Sequence, residues 1–248
     1  MRPRIIARLD IKGPKIVKGV RMDCIRPVEK PDILANRYYK DGADEMICID
    51  VVASLYGRNN LVDIARRVSN HIFIPLTVGG GVRSLNDISL LLRSGADKIA
   101  INTWLIDHPG FVTEAAKKFG SQSIVASVQA RRNSAGCWVA LYNYGRELSD
   151  KDAVSWAVQL ADLGAGEILL TSVDQDGTMS GFDLELIRQV APNVDIPVIA
   201  CGGAGETAHV AYALREGLAD AVALASALHY GKIAIREIKA FLDGTRIC

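Results

Sequence analysis

The sequence predicts an α/β fold, a (β/α)8 TIM barrel built from two similar half-barrels, and three observations carry that expectation. Eight short apolar runs alternate with eight amphipathic segments, the pattern of a parallel sheet covered by helices. The length, 248 residues, is what eight strand-helix units require. The second half of the chain also repeats motifs of the first. An open, doubly wound sheet would use the same alternation and is the alternative fold. No linker rich in Gly, Pro or Ser and no shift in composition divides the chain, so a single domain over residues 1–248 is expected, with halves of about 1–120 and 121–248.

The expected strands are Ile5–Asp10, Met46–Val51, Ile74–Val78, Lys98–Asn102, Ile124–Val128, Ile168–Ser172, Pro197–Cys201 and Ala221–Leu224, all short and rich in Val, Ile, Leu or Ala. Helical spacing of apolar residues places helices near 31–42, 60–70, 85–94, 109–119, 151–163, 183–191, 205–216 and 233–243. Two connections exceed what barrel closure needs. One is 11–30, expected as a long loop. The other is 130–149, in which Cys137–Tyr142 is expected to form a small hairpin.

Composition narrows the function classes. Lys plus Arg (29) nearly cancel Asp plus Glu (28), leaving net charge +1, so no field draws the chain to nucleic acid or to an anionic membrane surface. Five cysteines without a Cys-x-x-Cys pair fit buried thiols in a reducing compartment, and no apolar run reaches membrane-spanning length, so a cytoplasmic protein is expected. The four histidines lack metal-ligand spacing, and no Gly-x-Gly-x-x-Gly follows the first strand; neither metal nor cofactor is expected.

The repeat carries the functional argument. Phe73-Ile-Pro-Leu-Thr-Val-Gly-Gly-Gly81 matches Asp195-Ile-Pro-Val-Ile-Ala-Cys-Gly-Gly203, Gly42-Ala-Asp-Glu45 matches Gly164-Ala-Gly-Glu167, and Asn102-Thr103 matches Ala225-Ser226, all at an offset of about 120 residues. Each glycine turn follows a strand at the end where barrel enzymes hold their sites, and glycine lets backbone N–H groups approach a phosphate closely. Asn102 and Thr103 in one half and Ser226 in the other add polar groups from the next strand end. Two such cradles across one mouth imply a long substrate with a phosphate at each end. Simple βα turn chemistry is the structural alternative for any one of these turns.

Acids at strand ends supply candidate proton-transfer groups. Asp10, Asp50, Asp174 and Asp176 all fall there, although any one of them could simply cap a helix. Lys18 lies in the long loop after Asp10, where it could close over a phosphate or remain a solvated loop lysine. Position 129, which the repeat pairs with Asp10, holds Gln129, and a carboxamide cannot exchange a proton near neutral pH. At the other end, Arg4, Glu45, Lys98 and Glu167 stand at or just before strand starts. They could form a stabilising ring of ion pairs or a gate for a small neutral molecule such as ammonia.

Taken together, the chain resembles the cyclase subunit (HisF) family of imidazole glycerol phosphate synthase over almost its whole length. The resemblance rests on Leu9-Asp-Ile-Lys-Gly13 with Val17-Lys-Gly19, Asp44-Glu45, Leu76-Thr-Val-Gly-Gly-Gly81 and Ser94-Gly-Ala-Asp-Lys98, and on Phe119-Gly-Ser-Gln122, Gly164-Ala-Gly-Glu-Ile-Leu-Leu-Thr-Ser172, Asp176-Gly-Thr178 and Cys201-Gly-Gly-Ala-Gly205. It implies a glutaminase partner (HisH-like) at the N-terminal barrel face, supplying ammonia that crosses the barrel to a bis-phosphorylated ribotide. The products would be imidazole glycerol phosphate and an aminoimidazole carboxamide ribotide. It further implies that Asp10 is a catalytic acid/base and Lys18 a loop lysine over the site. Gly81, Asn102 and Thr103 would belong to one phosphate site; Gly177, Gly203 and Ser226 to the other; and Thr171 and Asp176 would line the groove. Arg4, Glu45, Lys98 and Glu167 match the ammonia gate. The related isomerase family (HisA) shares the duplicated barrel, but the complete gate and the Val-Lys-Gly run fit it less well.

Three departures accompany the resemblance. Gln129 stands where the family has its second catalytic aspartate, and Arg8 and Tyr144 replace small residues. With Asp10-Ile-Lys-Gly-Pro14 and Val51-Val-Ala-Ser-Leu-Tyr-Gly-Arg-Asn59, this pattern is similar to HisF-like paralogues of surface-sugar pathways, in which the barrel relays ammonia to a sugar amidotransferase.

Overall fold

Strands buried on both faces are largely apolar, and Ile5–Ile11, Met46–Cys48 and Ile168–Leu170 are buried throughout, with Arg8 and Asp10 as the charged exceptions. In the computed structural model, which describes residues 3–53 and 61–245, eight such strands run parallel and close into a barrel. Numbering all strands in chain order, these are β1 (Arg4–Lys12), β4 (Glu45–Asp50), β5 (Leu76–Gly79), β6 (Lys98–Ile101), β7 (Ile124–Arg132), β10 (Glu167–Ser172), β11 (Val198–Cys201) and β12 (Ala221–Leu224). Each pairs with the next, β12 returns to β1, and β7 with β10 completes the ring. The (β/α)8 expectation holds, and the open sheet is excluded by that closure.

Helices at Pro31–Lys40, Leu61–Ser69, Leu85–Arg93, Phe111–Phe119, Ala153–Asp162, Leu184–Val190, Thr207–Arg215 and Ile235–Gly244 sheathe the outside within a few residues of their expected limits. Several starts are fixed by side chains: the Asp87 backbone N–H donates to Ser84 Oγ in a capping box, and Asp152 and Asp183 accept from Ser155 and Leu186 N–H groups. Ser54–Asn59 of the Val51–Asn59 motif, and Cys248, lie outside the described residues. Among the described residues no helix is long and apolar enough to cross a membrane.

The duplication reappears in hydrogen bonds. Leu76 N–H donates to Asp97 Oδ2 and Val198 N–H to Asp220 Oδ2, both at 2.8 Å. Met46 N–H reaches the Pro75 carbonyl and Ile168 N–H the Pro197 carbonyl, both at 2.9 Å.

The expected long loop 11–30 is instead largely a hairpin, β2 (Lys15–Val20) and β3 (Asp23–Pro27), hydrogen-bonded to the extended end of β1. Its tight turn holds Arg21 and Met22 at positive φ, a conformation unfavourable to both, so the turn gave no Gly-Asn signal to read. Segment 130–149 also differs. Cys137–Tyr142 is not a hairpin by itself; Trp138–Tyr142 is one strand, β8, paired antiparallel with β7 and with β9 (Glu147–Asp152). The expectation of buried thiols fails for Cys24 and Cys137, which are exposed on these two extensions, while Cys48 and Cys201 are buried.

Candidate functional site

Alternation along the barrel strands stacks their inward side chains in layers. In the lowest layer Arg4, Glu45, Lys98 and Glu167 form a closed ring. Arg4 Nη1 lies 2.7 Å from Glu45 Oε1 and 2.6 Å from Glu167 Oε1, while Lys98 Nζ lies 3.0 and 2.9 Å from the other oxygens of the same two acids. Each acid thus bridges both cations. Burial penalises the Arg4 charge, yet its two glutamate partners raise its pKa above the ordinary value. Above the ring the interior is apolar, lined by Ile6, Ile47, Ala100, Val125, Leu169 and Ile199.

The next layer is charged and closed to solvent. Arg8 reaches across the barrel: its Nε donates to Asp10 Oδ1 at 2.9 Å, and its Nη1 to Thr171 Oγ1 at 3.1 Å and Cys201 Sγ at 3.2 Å. The other Asp10 oxygen accepts from Lys18 Nζ at 3.1 Å and Tyr144 Oη at 3.0 Å. Lys18 Nζ also donates to both oxygens of Asp176 at 2.8 Å. Burial alone would raise the Asp10 pKa, but Arg8 and Lys18 outweigh it and hold the carboxyl well below the usual carboxylate range. Lys18 is 1% exposed, so it is not a solvated loop lysine. Burial would lower its pKa, and Asp176 and Asp10 reverse that and raise it.

Both glycine turns sit at the mouth, as the repeat requires. Gly80 and Gly81 have φ of 112° and 69°, and a Cβ at Gly81 would come within 2.9 Å of Ala53. Gly202 and Gly203 have φ of 96° and 109°, and a Cβ at Gly203 would collide with the Gly181 carbonyl. The first turn borders a cavity of about 350 Å³ that Asn102, Thr103, Gln129 and Arg8 also line.

Two side chains at this cavity are already engaged. The Asn102 Nδ2 is bound to the Ser127 and Leu141 carbonyls at 2.9 and 3.1 Å. Thr103 Oγ1 accepts the Asn143 N–H at 3.1 Å and donates to Asn102 Oδ1 at 3.4 Å. Of the side-chain or backbone donors expected from this strand end, the side chains are therefore spent within the protein. Asp50 takes the bland role foreseen for single strand-end acids, accepting from the Val52 and Ala53 N–H groups. Asp174 lies apart from the mouth network and accepts the Arg132 N–H at 2.8 Å.

Around the second turn, Gly177, Gly203 and Ser226 gather with Lys18 and Asp176, but the hairpin covers them. Gln129 is 5% exposed and its Oε1 has no hydrogen-bond partner; Ser226 Oγ is likewise buried and unpartnered. Sequence reasoning missed Trp104 and Arg83 in the cavity wall, although each lies within two residues of a residue it had selected. It also missed the buried pair Tyr38 and His229, whose Oη and Nδ1 are 2.7 Å apart.

A family profile described as "Histidine biosynthesis protein" matches residues 4–234. The chain is 53% identical over 203 residues to "Imidazole glycerol phosphate synthase subunit HisF" of Legionella pneumophila, covering 82% of this chain and 96% of that protein. It is 46% identical over 245 residues to the protein of the same name from Thermosynechococcus vestitus, covering 96% and 87% respectively.

Proposed function

The chain belongs to the HisF family of imidazole glycerol phosphate synthase subunits, and from that membership we propose that it works as the cyclase subunit of a glutaminase-coupled synthase in the cytoplasm. A HisH-like glutaminase docks at the N-terminal face of the barrel. Ammonia passes the Arg4–Glu45–Lys98–Glu167 ring, crosses the apolar interior and meets a bis-phosphorylated ribotide held between the two glycine turns. Cleavage and ring closure there yield imidazole glycerol phosphate and an aminoimidazole carboxamide ribotide.

The single observation that carries this reading is the closed four-membered ring of ion pairs beneath an apolar interior. Fully paired charges bar the passage to ions, and an apolar lining makes it costly for ammonium, so neutral ammonia is the species that fits. At the top, Asp10 carries the proton transfer, and Gln129 orients the substrate by hydrogen bonding. Asp10 must loosen its partners to act, because Arg8 holds one of its oxygens and Lys18 and Tyr144 share the other.

That engagement, together with Gln129, favours a second reading. Here the subunit activates a glutaminase and relays ammonia to another acceptor, such as a sugar amidotransferase, with little chemistry of its own. Purified protein, the ribotide and excess ammonium salt at high pH separate the two. Turnover comparable to an ordinary cyclase rejects the relay; no turnover, with glutaminase activity still stimulated, rejects the cyclase. Loss of one paired acid costs on the order of 10²-fold or more, so Gln129→Asp is expected to recover a rate change of that size if the missing acid is the defect.

A further inference from the structure

The two ends of the mouth differ in a way that the sequence repeat hides. Beside Gly80 and Gly81 there is a cavity of about 350 Å³, whereas beside Gly202 and Gly203 the free space is about 10 Å³, room for about one water molecule. Three contacts seal the second end. Lys18 Nζ holds both oxygens of Asp176, the Arg21 N–H donates to the Asp176 carbonyl at 2.6 Å, and the Gly19 carbonyl occupies the place a Cβ on Gly177 would take. Beneath the hairpin Val17 and Met22 pack with Leu141, Tyr144 and Val173 in a small apolar cluster of their own. The hairpin is therefore seated over the second glycine turn with a core and ion pairs of its own.

Each end also keeps one unsatisfied buried atom. Gln129 lines the open cavity and its Oε1 is buried without a partner; Ser226 lines the sealed one and its Oγ is likewise buried without a partner. A buried acceptor with nothing to accept from is costly, and it marks where a ligand donor belongs.

We propose that in this closed state the mouth is a one-phosphate site. It takes a small ligand whose single phosphate rests on the Gly80–Gly81 turn and whose polar end meets the Gln129 carboxamide, with the hairpin unmoved. A second phosphate enters only by drawing Lys18 away from Asp176. Because Lys18 also binds Asp10, filling the second cradle also takes one partner from Asp10 and leaves it Arg8 and Tyr144. The proposal rests on the phosphate-site reading above and adds the order in which the two ends are engaged.

The test is titration calorimetry at fixed ionic strength with ribose 5-phosphate, ribulose 1,5-bisphosphate and inorganic phosphate, combined with hydrogen exchange at the Arg21 amide. On the wild type the two sugar phosphates are expected to bind within about threefold of each other, with Arg21 protection unchanged. Asp176→Asn, which releases Lys18, should tighten bisphosphate binding at least about tenfold and leave ribose 5-phosphate unaltered. Gln129→Leu should weaken ribose 5-phosphate about tenfold but not inorganic phosphate, a comparison that stands even if the Asp176 variant fails to fold. Bisphosphate binding to the wild type more than about tenfold tighter than the monophosphate overturns the proposal. So does a Gln129→Leu variant with unchanged sugar-phosphate affinity. If none of the three probes binds, it is the phosphate-site reading itself that fails.

Discussion

Replacing Lys18 by Met removes the cation that joins two buried carboxylates and keeps a side chain of similar length. In the wild type Lys18 Nζ lies 3.1 Å from Asp10 Oδ2 and 2.8 Å from both Asp176 oxygens, and all three residues are buried. After substitution Asp10 retains Arg8 and Tyr144, but Asp176 keeps only the Met22 N–H at 3.3 Å on its side chain. Removing one partner of a buried pair costs about 3–5 kcal/mol, whereas removing an exposed one costs about 0–1 kcal/mol. A loss of about 3–5 kcal/mol is a large share of a total stability of about 5–15 kcal/mol, and it is expected as a lowered urea midpoint with m unchanged. The measurement belongs at pH 7. Asp10 has a depressed native pKa, so its stabilisation is complete above its unfolded value of about 3.9 and is lost only as pH falls through the native value. Asp176→Asn in the Lys18→Met background should return much of the loss, since the uncompensated charge is gone. A cost below about 1 kcal/mol would refute the reasoning, because Lys18 would then be solvated in solution and the hairpin open.

Burial, aided by the Lys18 charge, lowers the His229 pKa to about 4 from an unperturbed 6.5. Its native pKa lies below its unfolded one, so stability should rise with pH between about 4 and 6.5, by about 3 kcal/mol in all. His229→Phe should flatten that slope in urea titrations; parallel profiles would be inconsistent with a neutral buried imidazole. Gly203→Ala puts a Cβ into the Gly181 carbonyl and should cost at least about 3 kcal/mol, whereas Gly136→Ala, also at positive φ but with open space around it, should cost only about 1 kcal/mol. Equal losses would mean that strain alone, and not the close approach in the cradle, governs both turns.

The barrel was readable because its strands are short apolar blocks with no competing periodicity, and because the duplication gave each half a second copy to be checked against. The ring was readable too, since Arg4, Glu45, Lys98 and Glu167 mark strand starts, but their mutual pairing depends on barrel closure, which no local pattern encodes. The hairpin over the mouth was not readable. Lys15–Val20 carries neither strict alternation nor a recognised turn, and its turn residues Arg21 and Met22 adopt positive φ because the Asp176 backbone and side chain bind their N–H groups. The engagement of Asn102 was not readable either. Its amide is occupied by carbonyls of β7 and β8, contacts that exist only because the strand extensions fold back.

In the network under the hairpin the buried charges balance, Arg8 and Lys18 on Asp10 and Asp176, so the hairpin is seated without leaving any of the four unpaired. With Lys18 alone, Asp10 would have a single cation. Here Arg8 supplies a permanent one and Tyr144 a further donor. Arg8, Gln129 and Tyr144 therefore act together. Gln129 brings no charge to the mouth and Arg8 brings a cation, so Asp10 stays paired with no second carboxylate at position 129. A mouth with these charges holds an anionic ligand readily and takes up a proton at Asp10 less readily. The same residues thus favour binding of a phosphorylated molecule while weakening acid/base chemistry, the balance on which the cyclase and relay readings divide.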